Sequence, residues 1–142
     1  MDKPVSEIMS RDVVVVEEWE NLLDVAADME RHMLRHLPVV DGKQLVGLIS
    51  HRDLLRFTAS DLDRSPFRDS RDTDLKTATF ISEVMTRDVA TVGPDTPVRV
   101  AAERLLASRF GCLPVVDDAG ELVGIVSEHD MLRLLVLLLK ER

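Results

Sequence analysis

The chain has 142 residues, of which 45% are hydrophobic, enough for one domain-sized core or for two small units that depend on each other. Its formal net charge of −8 disfavours nucleic acid and anionic membranes as main partners, because both repel an acidic surface. The longest apolar run, near residues 132–139, is shorter than the ~20 residues that span a bilayer, so we expect no membrane insertion.

The sequence contains an internal repeat. VSEIMSRDVVVV, from residue 5, returns as ISEVMTRDVATV from residue 81, and LPVVDGKQLVGLISHRDLLR, from residue 37, returns as LPVVDDAGELVGIVSEHDMLR from residue 113. Two copies are too few for an open solenoid, so we expect a closed pair with pseudo-two-fold symmetry. We assign the copies to residues 1–57 and 81–142, and the polar, non-periodic residues 58–80 to an exposed linker.

The first copy predicts the element order β-α-β-β-α. Its elements are a helical turn at 6–9, a strand at 13–16, a helix capped by Asn21, strands at 37–40 and 45–49, and a helix after Ser50. The apolar stripe of the first long helix has the spacing of an amphipathic helix. Its members are Leu22, Val25, Ala26, Met29 and Met33.

The second copy predicts the same order. Its elements are a turn at 82–85, a strand at 89–92, a helix with Thr96 as N-cap and Pro97 as first residue, strands at 113–116 and 122–126, and a helix after Ser127. The stripe of its first long helix contains Val98, Ala101, Ala102 and Leu105. The chain is therefore predicted to have an α/β (α+β) fold built from two tandem motifs.

These residues resemble the CBS domain, the motif named after cystathionine β-synthase. The matching features are the E-I-M or E-V-M turn, the L-P-V-V-D segment, and the ending G-L-I-S-H-R-D at 47–53 or G-I-V-S-E-H-D at 124–130. The full set occurs twice in register and covers nearly the whole chain. The resemblance implies a tandem CBS pair, or Bateman module, whose motifs pack through their sheets to form two clefts.

The resemblance also implies a function. Such pairs commonly bind adenosine nucleotides, here AMP, ADP, ATP or S-adenosylmethionine, require no cofactor, often form disk-like dimers, and regulate an enzyme, channel or transporter. We therefore expect a cytoplasmic energy- or ligand-sensing module that acts in trans on an unidentified partner protein and is not an enzyme. The alternative is a structural or dimerisation module without a ligand. The residues form no catalytic motif that would favour a nucleotide hydrolase.

The Ser/Asp pairs Ser50–Asp53 and Ser127–Asp130 have two compatible interpretations. One is a capping box, in which the serine and the acid satisfy free N–H groups of the following helix. The other is ligand binding, because a helix N-terminus offers donors to phosphate and an ionised aspartate accepts hydrogen bonds from a ribose diol. The resemblance implies that the aspartate holds the ribose and that the serine lies near the ribose and phosphate.

The resemblance further implies two clefts, each built across the copies, in which strand backbone groups contact the adenine edge and apolar side chains sandwich the ring. One cleft is expected to contain Ser50, His51, Arg52, Asp53, Val89, Ala90, Thr91, Gly111 and Cys112. The other is expected to contain Ser127, His129, Asp130, Val13, Val14, Val15, Arg35 and His36.

The two clefts differ just before L-P-V-V. The Asp130 cleft has Arg35 and His36 there, so we expect it to favour phosphorylated ligands, whereas the Asp53 cleft has Gly111 and Cys112 and is expected to be weaker, empty or suited to a less charged ligand. Taken alone, Arg35 also fits a solvated surface charge and His36 a satisfied, partly buried histidine.

The remaining candidates for chemistry are sparse. The single cysteine, Cys112, excludes an intrachain disulfide, favours a reducing compartment, and is expected to be buried and inert. It shows no metal-ligand spacing with the four histidines, so we expect no metal site. The last helix is apolar on most sides, which favours a homodimer over deeper packing within the chain.

Overall fold

The computed structural model describes residues 3–62, 79–108 and 110–141. They form two compact units, which we call the first-copy unit (residues 14–88) and the second-copy unit (residues 1–13 and 89–142). The first-copy unit contains β1 (Val16–Glu17), α1 (Leu22–His32), β2 (His36–Asp41), β3 (Gln44–Ser50), α2 (His51–Leu62) and a 3-10 helix (Ile81–Glu83). The second-copy unit contains a 3-10 helix (Val5–Glu7), α3 (Val98–Ala107), β4 (Cys112–Val116), β5 (Leu122–Ser127) and α4 (Glu128–Lys140).

The hairpins are alike in the two units. In the first-copy unit β1 pairs parallel with β2, and β2 pairs antiparallel with β3. In the second-copy unit β4 pairs antiparallel with β5, and both hairpins have a register shift inside the L-P-V-V segment. The fold is thus mixed α/β with tandem motifs, and the repeat gives the same antiparallel hairpin twice, although the second-copy sheet has two strands and the first-copy sheet three.

The predicted first strands are wrong in extent. Of residues 13–16 only Val16 is in β1, where it pairs with Val39, and of residues 89–92 only Val92 pairs, through an isolated parallel bridge to Val115. Val16 and Val92 are also the buried members of the two runs. Only the end of each run of β-branched residues meets the neighbouring strand.

Each unit takes its 3-10 helix from the sequence of the other copy. The Val5 N–H donates to Thr96 O at 2.8 Å, and the Ile81 N–H donates to Glu20 O at 2.8 Å. Val5 and Ile81 are fully buried in their units. The compact units therefore cut across the sequence copies, because each turn buries its apolar residue against the motif that the other copy supplies.

A glycine of the last strand permits this packing in both units. A Cβ added at Gly47 would lie 2.7 Å from Met85 Sδ and 2.8 Å from Thr86 O, and one added at Gly124 would lie 2.6 Å from Met9 Sδ and 2.9 Å from Ser10 O. Real Cβ atoms do not approach other atoms so closely. The glycine of the G-h-h-S-x-x-D ending (h is apolar) is therefore required for a close backbone approach.

The first long helices begin differently in the two units. Asn21 is the N-cap of α1 as predicted, and its side chain accepts a hydrogen bond from the Asp24 N–H at 2.9 Å. The prediction for α3 is wrong by one residue, because Pro97 is the N-cap and the Thr96 hydroxyl accepts from the Gly93 N–H instead. The N–H of Val98, the first helical residue, has no partner inside the helix and donates to Lys3 O at 2.8 Å.

The apolar stripes are confirmed except at Met33. Leu22, Val25 and Met29 are buried, but Met33 ends α1 in the left-handed conformation (φ 55°) and is 90% exposed. In α3 the buried members are Val98, Ala101 and Leu105. The periodicity placed Met33 on the apolar face because it assumed one more residue of helix than the chain has.

Most of the predicted linker lies outside the described residues. At its start α2 extends to Leu62, beyond the predicted boundary at residue 58. At its end Thr79 O accepts a hydrogen bond from the Leu22 N–H, and Phe80 forms a bridge with Asn21. Both described ends of this segment are thus part of the first-copy unit.

The last helix leaves much of its apolar surface uncovered. In α4 Leu132, Leu135, Val136, Leu137, Leu138 and Leu139 are each exposed by 47–60%. None of the described helices has the length and the apolar content needed to cross a membrane.

Candidate functional site

Helix α2 begins with a complete capping box. The Asp53 N–H donates to Ser50 Oγ at 3.1 Å, and the Ser50 N–H donates to Asp53 Oδ2 at 2.9 Å. Ser50 is buried and Asp53 is partly exposed. The capping interpretation of this pair is confirmed, and it fixes the carboxylate at the helix N-terminus, where backbone N–H groups and the helix dipole favour an anion.

Helix α4 begins in the same way, with one more contact. The Ser127 N–H and hydroxyl both donate to Asp130 Oδ2, at 2.8 and 3.1 Å, and the Asp130 N–H donates back to Ser127 Oγ at 3.3 Å. Asp130 is only 5% exposed, and the Arg133 guanidinium lies 3.8 Å from its Oδ1. The second carboxylate is thus held more firmly than the first.

In the first-copy unit the residues before L-P-V-V lie beside the start of α2. The His51 N–H donates to Arg35 O at 2.7 Å, and His36 is opposite Ser50 in the β2–β3 register. Arg35, His51 and Arg52 are exposed, and His36 is half-buried. This corner therefore carries basic side chains around a helix N-terminus.

The equivalent corner of the second-copy unit has no arginine among these positions. The Glu128 N–H donates to Gly111 O at 3.0 Å, and Cys112 is opposite Ser127 in the β4–β5 register. Gly111 has a left-handed backbone (φ 70°), and a Cβ there would lie 3.3 Å from the Glu128 carboxyl carbon. His129 is exposed next to it, and Asp130 is buried at the same helix start, so this corner carries two carboxylates and one histidine.

Cys112 is buried as predicted, at 6% exposure. Its burial, and to a smaller extent the nearby Glu128 carboxylate, raises the pKa of the thiol to about 11. The thiolate is the reactive form of cysteine, so this thiol is unreactive at neutral pH. That is the inert cysteine the sequence indicated.

The valine runs border the first strands. Val13 and Val14 are half-buried and Val15 is 39% exposed. In the second copy Val89 and Thr91 are half-buried and Ala90 is exposed. Thr91 O accepts a hydrogen bond from Arg104 Nη1 at 3.0 Å, so one of the carbonyls expected to contact adenine has a partner within the unit.

The predicted site residues are divided between the two units. The first-copy unit holds Val14, Val15, Arg35, His36, Ser50, His51, Arg52 and Asp53. The second-copy unit holds Val13, Val89, Ala90, Thr91, Gly111, Cys112, Ser127, His129 and Asp130. Their grouping into two clefts built across the copies stays a prediction.

Three charged residues near these positions were missed by the sequence reasoning. Glu128 occupies the S-x-x-D position equivalent to His51, so aligning the copies column by column would have found it. Arg133 is three residues after Asp130, a spacing that places both on one helix face. The contact of Arg104 with Thr91 spans 13 positions, and no local pattern predicts it.

Within residues 3–62, 79–108 and 110–141, no three histidine, cysteine or acidic side chains are grouped so that they could hold a metal ion.

Comparison with known proteins identifies the repeat. The model of the CBS domain family matches residues 5–60 and 81–137. Protein MJ1225 of Methanocaldococcus jannaschii is 33% identical over 129 residues, and its crystal structure superposes with a TM-score of 0.84. The chain spans about half the length of that relative, 46% in the sequence comparison, and 91% of this chain is covered.

Two further solved structures are similar over nearly their whole length. The CBS-pair protein CBSX2 of Arabidopsis thaliana in complex with AMP is 27% identical, with a TM-score of 0.78 over 98% of both chains. The CBS domain pair of protein MJ0100, in complex with 5′-methylthioadenosine and S-adenosyl-L-methionine, is 29% identical, with a TM-score of 0.74 over 94% of this chain and 99% of that one. The chain belongs to the CBS domain family and carries two copies of the domain.

Proposed function

We propose that this protein is a regulatory module that binds an adenosine nucleotide and transmits its presence to a partner protein, without catalysing a reaction. The observation that carries the proposal is the pair of fixed capping-box carboxylates, Asp53 and Asp130, each at a helix N-terminus beside a charged corner. The complexes of CBSX2 with AMP and of the MJ0100 pair with S-adenosyl-L-methionine support an adenosine ligand.

The carboxylates suit a ribose. The capping hydrogen bonds end on Oδ2 in both copies, so we assign Oδ1 to the ribose hydroxyls, for which an ionised carboxylate is an acceptor. In Asp130 this oxygen also lies 3.8 Å from Arg133 Nη1, so there the ribose would share it with the guanidinium. The helix N-termini offer dipole and N–H donors to a phosphate. Within the first-copy unit Arg35 lies beside the helix start that carries Asp53, and its guanidinium adds positive charge there. We therefore propose AMP, ADP or ATP as ligands of this corner, in place of the predicted pairing of Arg35 with Asp130.

Regulation requires that the ligand bind one arrangement of the protein better than another, because only a difference in affinity shifts an equilibrium. We therefore propose that ligand binding changes the arrangement of the chain or of a homodimer, and that the regulated partner recognises this change.

Isothermal titration with AMP, ADP, ATP and S-adenosylmethionine tests the proposal. We expect saturable heat with at least one of them, and the absence of heat with all four would overturn the adenosine assignment. Asp130→Glu keeps the charge but moves the carboxylate by one methylene, so nucleotide affinity should fall about tenfold with little change in melting temperature. Asp118→Glu, in the exposed β4–β5 turn, is the matched control and should leave binding unchanged.

A second candidate function is a dimerisation module that takes no ligand. The exposed leucines of α4 favour it, since contiguous exposed apolar surface is typical of interaction sites. Sedimentation of the wild type and of Leu135→Glu distinguishes the candidates when combined with a thermal-shift screen. A wild-type dimer that dissociates in Leu135→Glu, together with a melting temperature that no ligand changes, would favour this alternative over the regulatory function.

A further inference from the structure

Each unit has an equivalent backbone hydrogen bond at the start of its last helix. His51 donates its N–H to Arg35 O at 2.7 Å, and Glu128 donates its N–H to Gly111 O at 3.0 Å. The side chains of these residues therefore border equivalent corners. One corner presents Arg35 with His51, and the other presents Glu128 with no side chain at residue 111.

The Glu128 carboxylate lies directly against the backbone of Gly111. A Cβ at Gly111 would be 3.3 Å from the carboxyl carbon and 3.4 Å from each carboxyl oxygen. A Cβ at this distance would require the flexible Glu128 side chain to shift by a few tenths of an ångström. The absence of a side chain at residue 111 therefore lets the carboxylate lie close to the backbone of this corner, and Glu128 supplies the exposed negative charge.

The charge of Glu128 also reaches the neighbouring Cys112, which follows Gly111 in the chain. Burial raises the pKa of the Cys112 thiol, and the Glu128 carboxylate raises it further by a smaller amount. Among the described residues, the other ionisable side chains near the start of α4 are the buried Asp130 carboxylate, the Arg133 guanidinium 3.8 Å from it, and the exposed His129 imidazole. The arginine is already paired with Asp130, so it offsets that carboxylate and not Glu128.

We propose that Glu128 is a specificity-determining residue, which makes the Gly111 corner prefer an adenosine ligand with an uncharged or cationic 5′ substituent over one with a 5′ phosphate. This inference rests on the proposed adenosine-binding function. A phosphate carries about two negative charges at neutral pH and is repelled by the carboxylate, whereas a thioether is not and a sulfonium is attracted. The Arg35 corner has the opposite preference, so one chain combines two ligand classes.

Titration of wild type and Glu128→Gln with AMP and with adenosine tests this inference. Glutamine keeps the size and the helix position but removes the charge. Because Glu128 is exposed and screened, we expect AMP to bind roughly three- to tenfold more tightly to one class of sites, with adenosine affinity unchanged within about twofold. The gain in AMP affinity should shrink at high salt.

Asp118→Asn is the matched control, since it removes one negative charge from the turn at the far end of the β4–β5 hairpin. That turn is more than a Debye length away, so AMP affinity should not change. An equal gain in Asp118→Asn would overturn the inference in favour of a net-charge effect.

Two other outcomes are decisive. Unchanged AMP affinity in Glu128→Gln, with adenosine ligands still bound, would overturn the inference and leave the proposed function standing. Wild type that binds neither AMP, adenosine nor S-adenosylmethionine would overturn the proposed function and this inference together.

Discussion

In the first-copy unit the corner where the strand hairpin meets the last helix carries Arg35 and His51, whereas the same corner of the second-copy unit carries Gly111 and Glu128. The backbone hydrogen bond at this corner is the same in both. The surrounding structure is also the same: a methionine just after a 3-10 helix packed on a strand glycine, a hairpin with one register shift, and a capping box. The comparison shows that packing restricts the buried elements shared by the two copies, whereas the exposed corner can differ in charge.

The largest expected effect concerns these shared buried elements. Gly47→Ala and Gly124→Ala should each lower the free energy of unfolding by about 3 kcal/mol, because the new Cβ would overlap a carbonyl oxygen and a methionine sulfur. Urea unfolding measures this. Gly93→Ala is the control, since a Cβ there makes only ordinary contacts at 3.6 Å or more, and it should be nearly neutral. Tolerance of alanine at either strand glycine would contradict this shared packing.

The next effect is specific to the second-copy unit. The folded-state pKa of Cys112 is about 11, above its ordinary value of 9.0, so the folded state binds the thiol proton more tightly than the unfolded state. Stability is therefore fully present below pH 9 and is lost as the pH rises from 9 to 11, by about 2 kcal/mol at pH 11. Urea unfolding at a series of pH values should show this loss in the wild type and a smaller loss in Cys112→Ala. An equal loss of stability above pH 9 in both proteins would show that the Cys112 thiol is not its cause.

The two capping boxes should differ in strength. Asp130 is buried and accepts hydrogen bonds from both the N–H and the hydroxyl of Ser127, whereas Asp53 is partly exposed. Asp130→Ala should therefore cost about 1 kcal/mol more stability than Asp53→Ala. Thermal unfolding of the two variants side by side makes the measurement. Equal costs would mean that the tighter second box has no energetic consequence.

The smallest effect comes from the turn after α1. Met33 has a positive φ and is 90% exposed, so its side chain contributes little packing while its backbone is strained. Met33→Gly should raise the free energy of unfolding by about 0.5 kcal/mol, because relief of strain exceeds the added entropy of the unfolded chain. Met33→Ala keeps the strain and should not stabilise. If Met33→Ala were also stabilising, the gain in stability of Met33→Gly would not come from relief of the positive φ.

The sequence predicted the hairpins and the last helices well because their signals are local. The L-P-V-V strands, the tight turns and the Ser50 and Ser127 caps depend on residues within a few positions of each other. The exchange of the 3-10 helices was not predictable in this way. The hydrogen bond between Val5 and Thr96 joins residues 91 positions apart, and nothing in either segment specifies that partner.

The site was predictable in its residue types and less so in its charge. The Ser/Asp pairs and the contrast between Arg35 and Gly111 follow from aligning the copies. The position of the Glu128 carboxylate does not, because it depends on the left-handed backbone of Gly111, which is visible only in three dimensions.

The central claim is that the basic corner of the first-copy unit favours a phosphorylated adenosine ligand, and AMP titration of Arg35→Gln tests it most directly. The account predicts that AMP affinity falls about tenfold relative to wild type, that adenosine affinity is unchanged, and that Lys43→Gln, in the exposed turn at the far end of the same hairpin, behaves like wild type. AMP affinity that is the same in Arg35→Gln and wild type would contradict it.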